Sequence, residues 1–293
     1  MFREFKKYSG FISNSLKTLF AYRFGAVVWI IFPIVFMMIQ YFLWTGIFES
    51  AGGSLYSIKL QQYLTYIGIG YITIRLTACG REGMISTELK NGNVAVALTK
   101  PYDYITMNFA QHLGQRLAFA IQSIPMIVLI VIIAQIPLQT LPNFGFYILS
   151  LLFAFAINFL FSIFLGSIAF WIVNVWGFFL LRGGLRMLFS GETIAIALFF
   201  KIAEDGSTIQ NFPLQSLNSA GVKSVFHILG VVAYCLPFQA MYNTPSAIYS
   251  GMFAGNEEIL LHLALQAGWI VFFLIINKLL WKRALDRVTI FGG

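Results

Sequence analysis

Few residues in this chain have the type and spacing to do chemistry. Glu192 is an acid within an otherwise apolar segment, where a carboxylate is costly and normally faces a bundle interior or a water-filled path. It can take a cationic part of a ligand, pair with Arg186 earlier on the chain, or sit at an interface. The three histidines fall in three separate regions, so no Ser-His-Asp or Cys-His set can be assembled. His112 and His262 lack a His, Cys or carboxylate at metal-ligand spacing and read as interfacial hydrogen-bonders. Cys79 and Cys235 have no metal spacing either, and no disulfide between them is expected. The pattern G-x-x-x-x-G-K-[ST] is absent, so the chain has no P-loop for ATP. Catalytic residues, a metal and a bound cofactor are therefore not expected, and what remains is the chemistry of contact and passage.

The elements that position these residues belong to a membrane. Hydrophobic residues make up 59% of the chain and charged residues 10%, too little polar surface for a soluble fold of this length. Residues 117–181 carry no formal charge, enough for two crossings of a bilayer core of about 30 Å. Pro137 and Pro142 mark the turn between them. The whole chain reads as an all-α membrane protein with six transmembrane helices, at 24–47, 60–79, 117–135, 144–173, within 185–202, and 259–277. The first apolar run is too long for a signal-peptide core and lacks a cleavage site, so it is expected to be retained. Of the 19 Lys and Arg, all but Lys59, Lys201 and Lys223 fall on one side of this arrangement. That bias predicts a multi-pass protein with both termini in the cytoplasm. It also explains the net charge of +8 without any nucleic-acid partner.

Four regions ask for more than a span or a plain loop. Residues 1–20 place Phe5, Tyr8, Ile12, Leu16 and Leu19 at helical spacing, with basic residues off that stripe, as an interfacial helix on anionic lipid would. In the cytoplasmic segment 81–104, Met84, Ile85 and Leu89 share a face of a short helix that Gly92 can end. Such a helix can dock in a groove of a soluble partner or rest on headgroups. In the fourth span Ser150, Ala154, Asn158, Ser162 and Gly166 recur every fourth residue, a face suited to close helix packing or to lining a path. Residues 203–258 hold an apolar run, 225–236, too short to span; it reads as a re-entrant or interfacial helix ended by Pro237, with Pro245 bounding a second piece.

This layout resembles the ABC-2 type permeases of ATP-driven exporters. The segment from Glu82 through Asn91 to Gly92, followed by Leu98 and Pro101, is similar to that family's cytoplasmic segment before the third span. Ser190 and Gly191, the Leu236-Pro237-Phe238 run, Pro245 with Tyr249 and Gly251, and Gln266 to Trp269 with Trp281 to Arg283 resemble a bacterial subgroup that includes drug, viologen and bacteriocin exporters. Two departures concern the outer gate and the cargo. The subgroup's Ile-Pro-Leu after Ser-Gly is Thr193-Ile194-Ala195-Ile196 here, and region 204–224 is lengthened.

The resemblance implies a single transmembrane domain over 1–293 in the bacterial plasma membrane. It implies a separate ABC ATPase subunit, which would bind ATP and magnesium, and a second permease, with an unlike partner favoured over an identical one. Glu82, Met84, Ile85, Glu88, Leu89, Lys90 and Asn91 would form the coupling helix seated in the ATPase. Tyr63, Tyr66, Thr73 and Glu192 would line the substrate path. Leu236, Pro237 and Phe238 would form the outer gate. The cargo expected is amphipathic and drug- or peptide-like, with a lipid-linked glycan or polysaccharide as the alternative. An ATP-independent secondary transporter or channel, or a membrane scaffold, is the competing class, and the sparse intramembrane charge weighs against the transporter.

Overall fold

The computed structural model describes residues 9–14, 17, 23–55, 57–172, 176–205 and 220–291. Helix α1 (Arg23–Ser50) carries Val28, Ile31, Phe32, Val35, Phe36 and Phe42 outward. Gly52 and Gly53, at φ of 79° and 88°, turn the chain into a two-stranded antiparallel ladder, β1 (Ser54–Leu55) with β2 (Ile58–Lys59). Helix α2 (Leu60–Thr77) then runs back along α1, with the Trp44 and Tyr63 rings 4.3 Å apart. Two short helices follow, α3 (Arg81–Lys90) and α4 (Asn93–Leu98), divided at Gly92 in the left-handed region (φ 71°), where a glycine carries no Cβ penalty.

Asp103 caps helix α5 (Tyr104–Gln122) by accepting from the Thr106 N–H at 2.7 Å. The axis then bends by 54° into α6 (Ile124–Ile133). Pro125 is the cause: its ring clashes with the carbonyl of Ile121 and it has no N–H to donate. After the turn at Pro137, α7 (Leu141–Ile168) is the central helix. Next come α8 (Trp176–Phe189), α9 (Ile196–Asp205), α10 (Ala220–Cys235), α11 (Pro237–Met241), α12 (Asn243–Ser250) and the long α13 (Asn256–Phe291).

Helices α7 and α13 run parallel. Gln266 donates to the Ser150 carbonyl at 3.2 Å, Asn277 to that of Leu160 at 2.8 Å, and Trp281 meets Phe170 edge-on at 5.7 Å. The chain reverses between α10 and α11, where Leu236 is extended ahead of Pro237. From there α11 and α12 run antiparallel to α7. Phe238 meets Phe161, in the last third of α7, at 5.5 Å, and Tyr249 meets Tyr147 in its first third at 5.2 Å. The Tyr249 hydroxyl donates to the Pro137 carbonyl at 3.2 Å.

Six spans are not what the structure contains. Among the described residues three helices are long and apolar enough to cross a membrane: Ile30–Ser50, Leu141–Ile168 and Asn256–Asp286. The bent pair α5–α6 makes a fourth if counted as one crossing. The expected second span forms as α2, but Gln61, Gln62, Tyr63, Tyr66, Tyr71 and Arg75 make it too polar to count by composition, and most of it is buried against its neighbours. The expected fifth span is cut in two at 190–195, where Gly191 adopts a φ of 86°. The expected third span begins earlier, at Tyr104, and is broken near Ser123.

Of the expected interfacial helix, residues 1–8, 15, 16 and 18–22 lie outside the described residues. Residues 9–14 are helical, and Phe11 meets Tyr102 edge-on at 5.4 Å. Residues 206–219 of the lengthened region also lie outside the described residues.

Candidate functional site

Small residues on α7 allow α3 to approach. A Cβ on Gly166 would stand 2.7 Å from Ile85 Cδ1, 3.2 Å from Ile85 Cβ and 3.4 Å from Glu82 Cα, so the glycine lets α3 seat Ile85 directly against α7. The rest of the small-residue face is also consumed by packing. Asn158 Nδ2 donates to the Ala154 carbonyl at 3.0 Å and reaches Thr77 Oγ1 on α2 at 3.4 Å, while Ser150 and Ala154 are fully buried.

Glu82 is the centre of the crossing. One carboxylate oxygen holds the Arg182 guanidinium from α8, and the other accepts from the Ser162 hydroxyl of α7. The Glu82 N–H donates to Ser162 Oγ at 3.1 Å. Arg182 also donates to the Cys79 carbonyl at 3.1 Å and lies 5.4 Å over the Phe161 ring. The charges are thus paired, and each makes a further hydrogen bond, to Ser162 and to the Cys79 carbonyl, which helps a buried ion pair to be tolerated.

Arg81, beside it, donates from Nη1 to Gln111 Oε1 at 2.8 Å and from Nη2 to Gln115 Oε1 at 3.3 Å. Burial lowers its pKa from the ordinary value, yet a guanidinium stays charged at neutral pH. At the other end of α3, Glu88 Oε2 accepts from the Tyr104 hydroxyl at 2.6 Å, and the Tyr104 ring stacks on Trp281 of α13 at 5.1 Å. Helix α3 is therefore tied to α7, α8 and α5, and through Tyr104 to α13.

These ties sort the residues expected to dock on a partner. Glu82 and Ile85 face inward and are buried, Glu88 and Leu89 are half-buried, and Met84, Lys90 and Asn91 are exposed beside Thr87. The outward face is more polar than the apolar stripe Met84, Ile85 and Leu89 suggests, because Ile85 is consumed by Gly166.

A second set of contacts surrounds the break at 190–195. Arg186 Nη1 lies 3.0 Å from Glu192 Oε2, the pairing that is one of the sequence's alternatives for this acid. The Tyr66 hydroxyl is 2.8 Å from the Gly191 carbonyl and 3.0 Å from Asn243 Oδ1, and the Ala195 N–H donates to the Tyr63 hydroxyl at 3.3 Å. A Cβ on Gly191 would collide with the Tyr66 hydroxyl, and one on Gly70 with that of Tyr242. Trp44, Tyr63, Tyr66 and Tyr242 form a continuous aromatic column, with successive ring centroids 4.3, 6.0 and 5.8 Å apart.

Tyr63, Tyr66 and Thr73 are thus packed inside the chain, while Glu192 is half-buried in the loop. Between the two sets lies a cleft of about 280 Å³, lined by Thr77, Cys79, Glu82, Arg182, Arg186 and Tyr242 among others. Leu236, Pro237 and Phe238 sit at the α10–α11 reversal beside Phe161, at the end of α7 away from the Pro137 turn. Among the described residues no group of His, Cys, Asp or Glu is placed to hold a metal ion, and both cysteines are free thiols.

Sequence reasoning did not single out Arg182, Ser162 as a ligand of Glu82, Asn243 or Tyr242. The available signal was Arg182 and Arg186, four apart at the edge of the long uncharged run, which places both on one helix face.

The family model described as ABC-2 family transporter protein matches residues 34–292. The chain belongs to that family. It is an ABC-2 type transporter permease, a membrane protein with several apolar helices, and permeases of this kind pair with ABC ATPase subunits. Neither curated proteins nor solved structures give a match.

Proposed function

We propose that this permease is the membrane half of an ATP-driven exporter, that segment 81–104 is its contact with a separate ATPase subunit, and that its cargo is amphipathic and drug- or peptide-like. The observation that carries the reading is the mounting of α3. Buried charge fixes its inner face to α7 and α8, and one polar face with Met84, Thr87, Lys90 and Asn91 is left outward. A helix held this way passes on a push rather than absorbing it. Closure of two ATPase subunits on ATP would then bias the permease between inward-open and outward-open forms through differential contacts. ATP and magnesium belong to that subunit.

Tyr63, Tyr66, Thr73 and Glu192 are assigned to the substrate path, closed by the aromatic column in this form. Leu236, Pro237 and Phe238 are assigned to a gate at the reversal. The cleft of about 280 Å³ is of the size that takes a small amphipathic group rather than a polymer. The Lys and Arg bias places α3 and both termini in the cytoplasm, and a second, related permease completes the path.

The test is phosphate release by purified permease in nanodiscs, with and without the ATPase subunit. Turnover only with the subunit, together with copurification, is expected. Appreciable turnover by the permease alone defeats the proposal. Mass measurement of the solubilised complex decides the stoichiometry, with two unlike permeases and two ATPase subunits expected.

A further inference from the structure

Helix α8 has no fully buried residue; Leu185 and Phe189 pack partly buried against the clusters around Phe161 and Phe199. Its charged contacts add direction to that packing. Arg182 reaches Glu82 on α3, and Arg186, one turn on along the same face, reaches Glu192 in the loop at 190–195. The two carboxylates belong to different elements, so the C-terminal half of the helix is a strut fixed at its middle to α3 and in its last turn to the loop.

The loop in turn is not free to adapt. Gly191 stands at a φ of 86° directly under the Tyr66 hydroxyl, with no room for a Cβ, and its carbonyl lies 2.8 Å from that hydroxyl. The same hydroxyl is 3.0 Å from Asn243 at the start of α12. With one proton to donate between the two carbonyl oxygens, the hydroxyl is the point at which α2, the loop and α12 converge. A displacement of the loop breaks that junction instead of bending it.

We infer that Arg182 and Arg186 are the positioning residues of the transport cycle, carrying movement of α3 along α8 to the Tyr66 junction, where α2 and α12 part. This rests on the reading of segment 81–104 as the ATPase contact. The Glu82–Arg182 pair is buried and hydrogen-bonded. In a site of low effective dielectric such a pair resists separation more strongly than apolar contacts resist sliding. The partly exposed Arg186–Glu192 pair closes the link to the loop. The strut thus moves with α3, and the weaker neutral bonds at Tyr66 yield. A coupling claim of this kind requires energetic evidence that both ends answer to one element.

The experiment uses the permease with its ATPase subunit in nanodiscs, in a Cys235→Ser background. Spin labels replace Lys59, just before α2, and Ala254, just after α12, both exposed. The probe is ATP with vanadate, so no cargo is needed. Trapping is expected to change the label distance in the otherwise native complex. Arg186→Gln should keep copurification while losing the distance change. Glu82→Arg should also lose it, and the exchanged pair Glu82→Arg with Arg182→Glu should regain it. If the exchanged pair does not fold, the neutral pair Glu82→Gln with Arg182→Gln takes its place, and it should fold without showing the change.

A distance change that survives Arg186→Gln or the neutral pair overturns the strut alone. So does an exchanged pair that melts like the native protein but stays uncoupled. Lack of stimulation and of any change in the native complex overturns the ATPase reading together with it.

Discussion

The two ends of the helical bundle are held by different physics. Where α3 crosses α7, the contacts are charged and directional: Glu82 with Arg182 and Ser162, Arg81 with two glutamines, and Glu88 with Tyr104. Around α1, α2 and the Pro137 turn the contacts are uncharged and mainly aromatic and aliphatic, with Trp44, Phe48, Tyr63, Tyr147 and Tyr249 in one cluster. Neutral hydrogen bonds run there from Gln61, Gln62 and Tyr249 to backbone carbonyls. Ion pairs with their hydrogen bonds satisfied define one geometry and penalise every other. Aromatic contacts keep much of their value across a range of offsets and tilts. One end is therefore built to keep its register with a neighbour and the other to let elements slide past each other.

The sharpest way to break this contrast is to orphan a charge. Glu82→Ala leaves the Arg182 guanidinium buried without its carboxylate, and should cost about 3–5 kcal/mol in unfolding measured in detergent. Arg182→Ala in the same chain should add far less than its cost alone, since both remove one interaction. Next in size is Gly166→Val, which drives a side chain into Ile85 and should cost about 1–3 kcal/mol. Ile85→Ala should recover part of that loss, and no recovery would mean that α3 is not seated where described.

At the aromatic end the effects should be smaller. Phe48→Leu keeps an apolar side chain in the cluster and should cost under about 1.5 kcal/mol by thermal unfolding. A loss as large as that of Glu82→Ala would erase the distinction between the two ends. Smallest of all, Lys90→Glu on the outward face of α3 should alter stability by no more than about 0.5 kcal/mol. It should nevertheless reduce copurification with the ATPase subunit, and unchanged copurification counts against that face as the contact.

Individual breaks were legible in the sequence. The proline-marked turn before α7, the helix ending near Gly92 and the break at Pro237 follow from periodicity and breakers, whereas the last helix, expected over 259–277, runs over Asn256–Phe291. The number of spans was not legible, for two physical reasons. Helix α2 is surrounded by its own chain, so its glutamines, tyrosines and Arg75 meet protein groups, and lipid-like composition is not required of it. The segment around Glu192 has apolar flanks, but Gly191 in the left-handed region ends one helix and starts another, and tertiary contacts with Tyr66 and Asn243 select that conformation. The bend at Pro125 was hidden by the apolar residues around it. Within the site, residue types on α3 were legible but their facing was not, because it depends on Gly166, which lies on another helix.

Helix α8 leaves one further mark on the protein. With no residue fully buried by its own chain and Leu180, Leu181, Met187 and Leu188 exposed, it takes part of its lateral support from whatever lies against it in the bilayer. Linkage then makes its stability a function of surface density: anything that binds the folded form raises apparent stability by mass action. Diluting the permease with lipid should lower its unfolding temperature, and crowding it with its partner should raise it. Subunit supply and subunit lifetime are in this way the same variable, and a permease made in excess of its partner is the one exposed to removal.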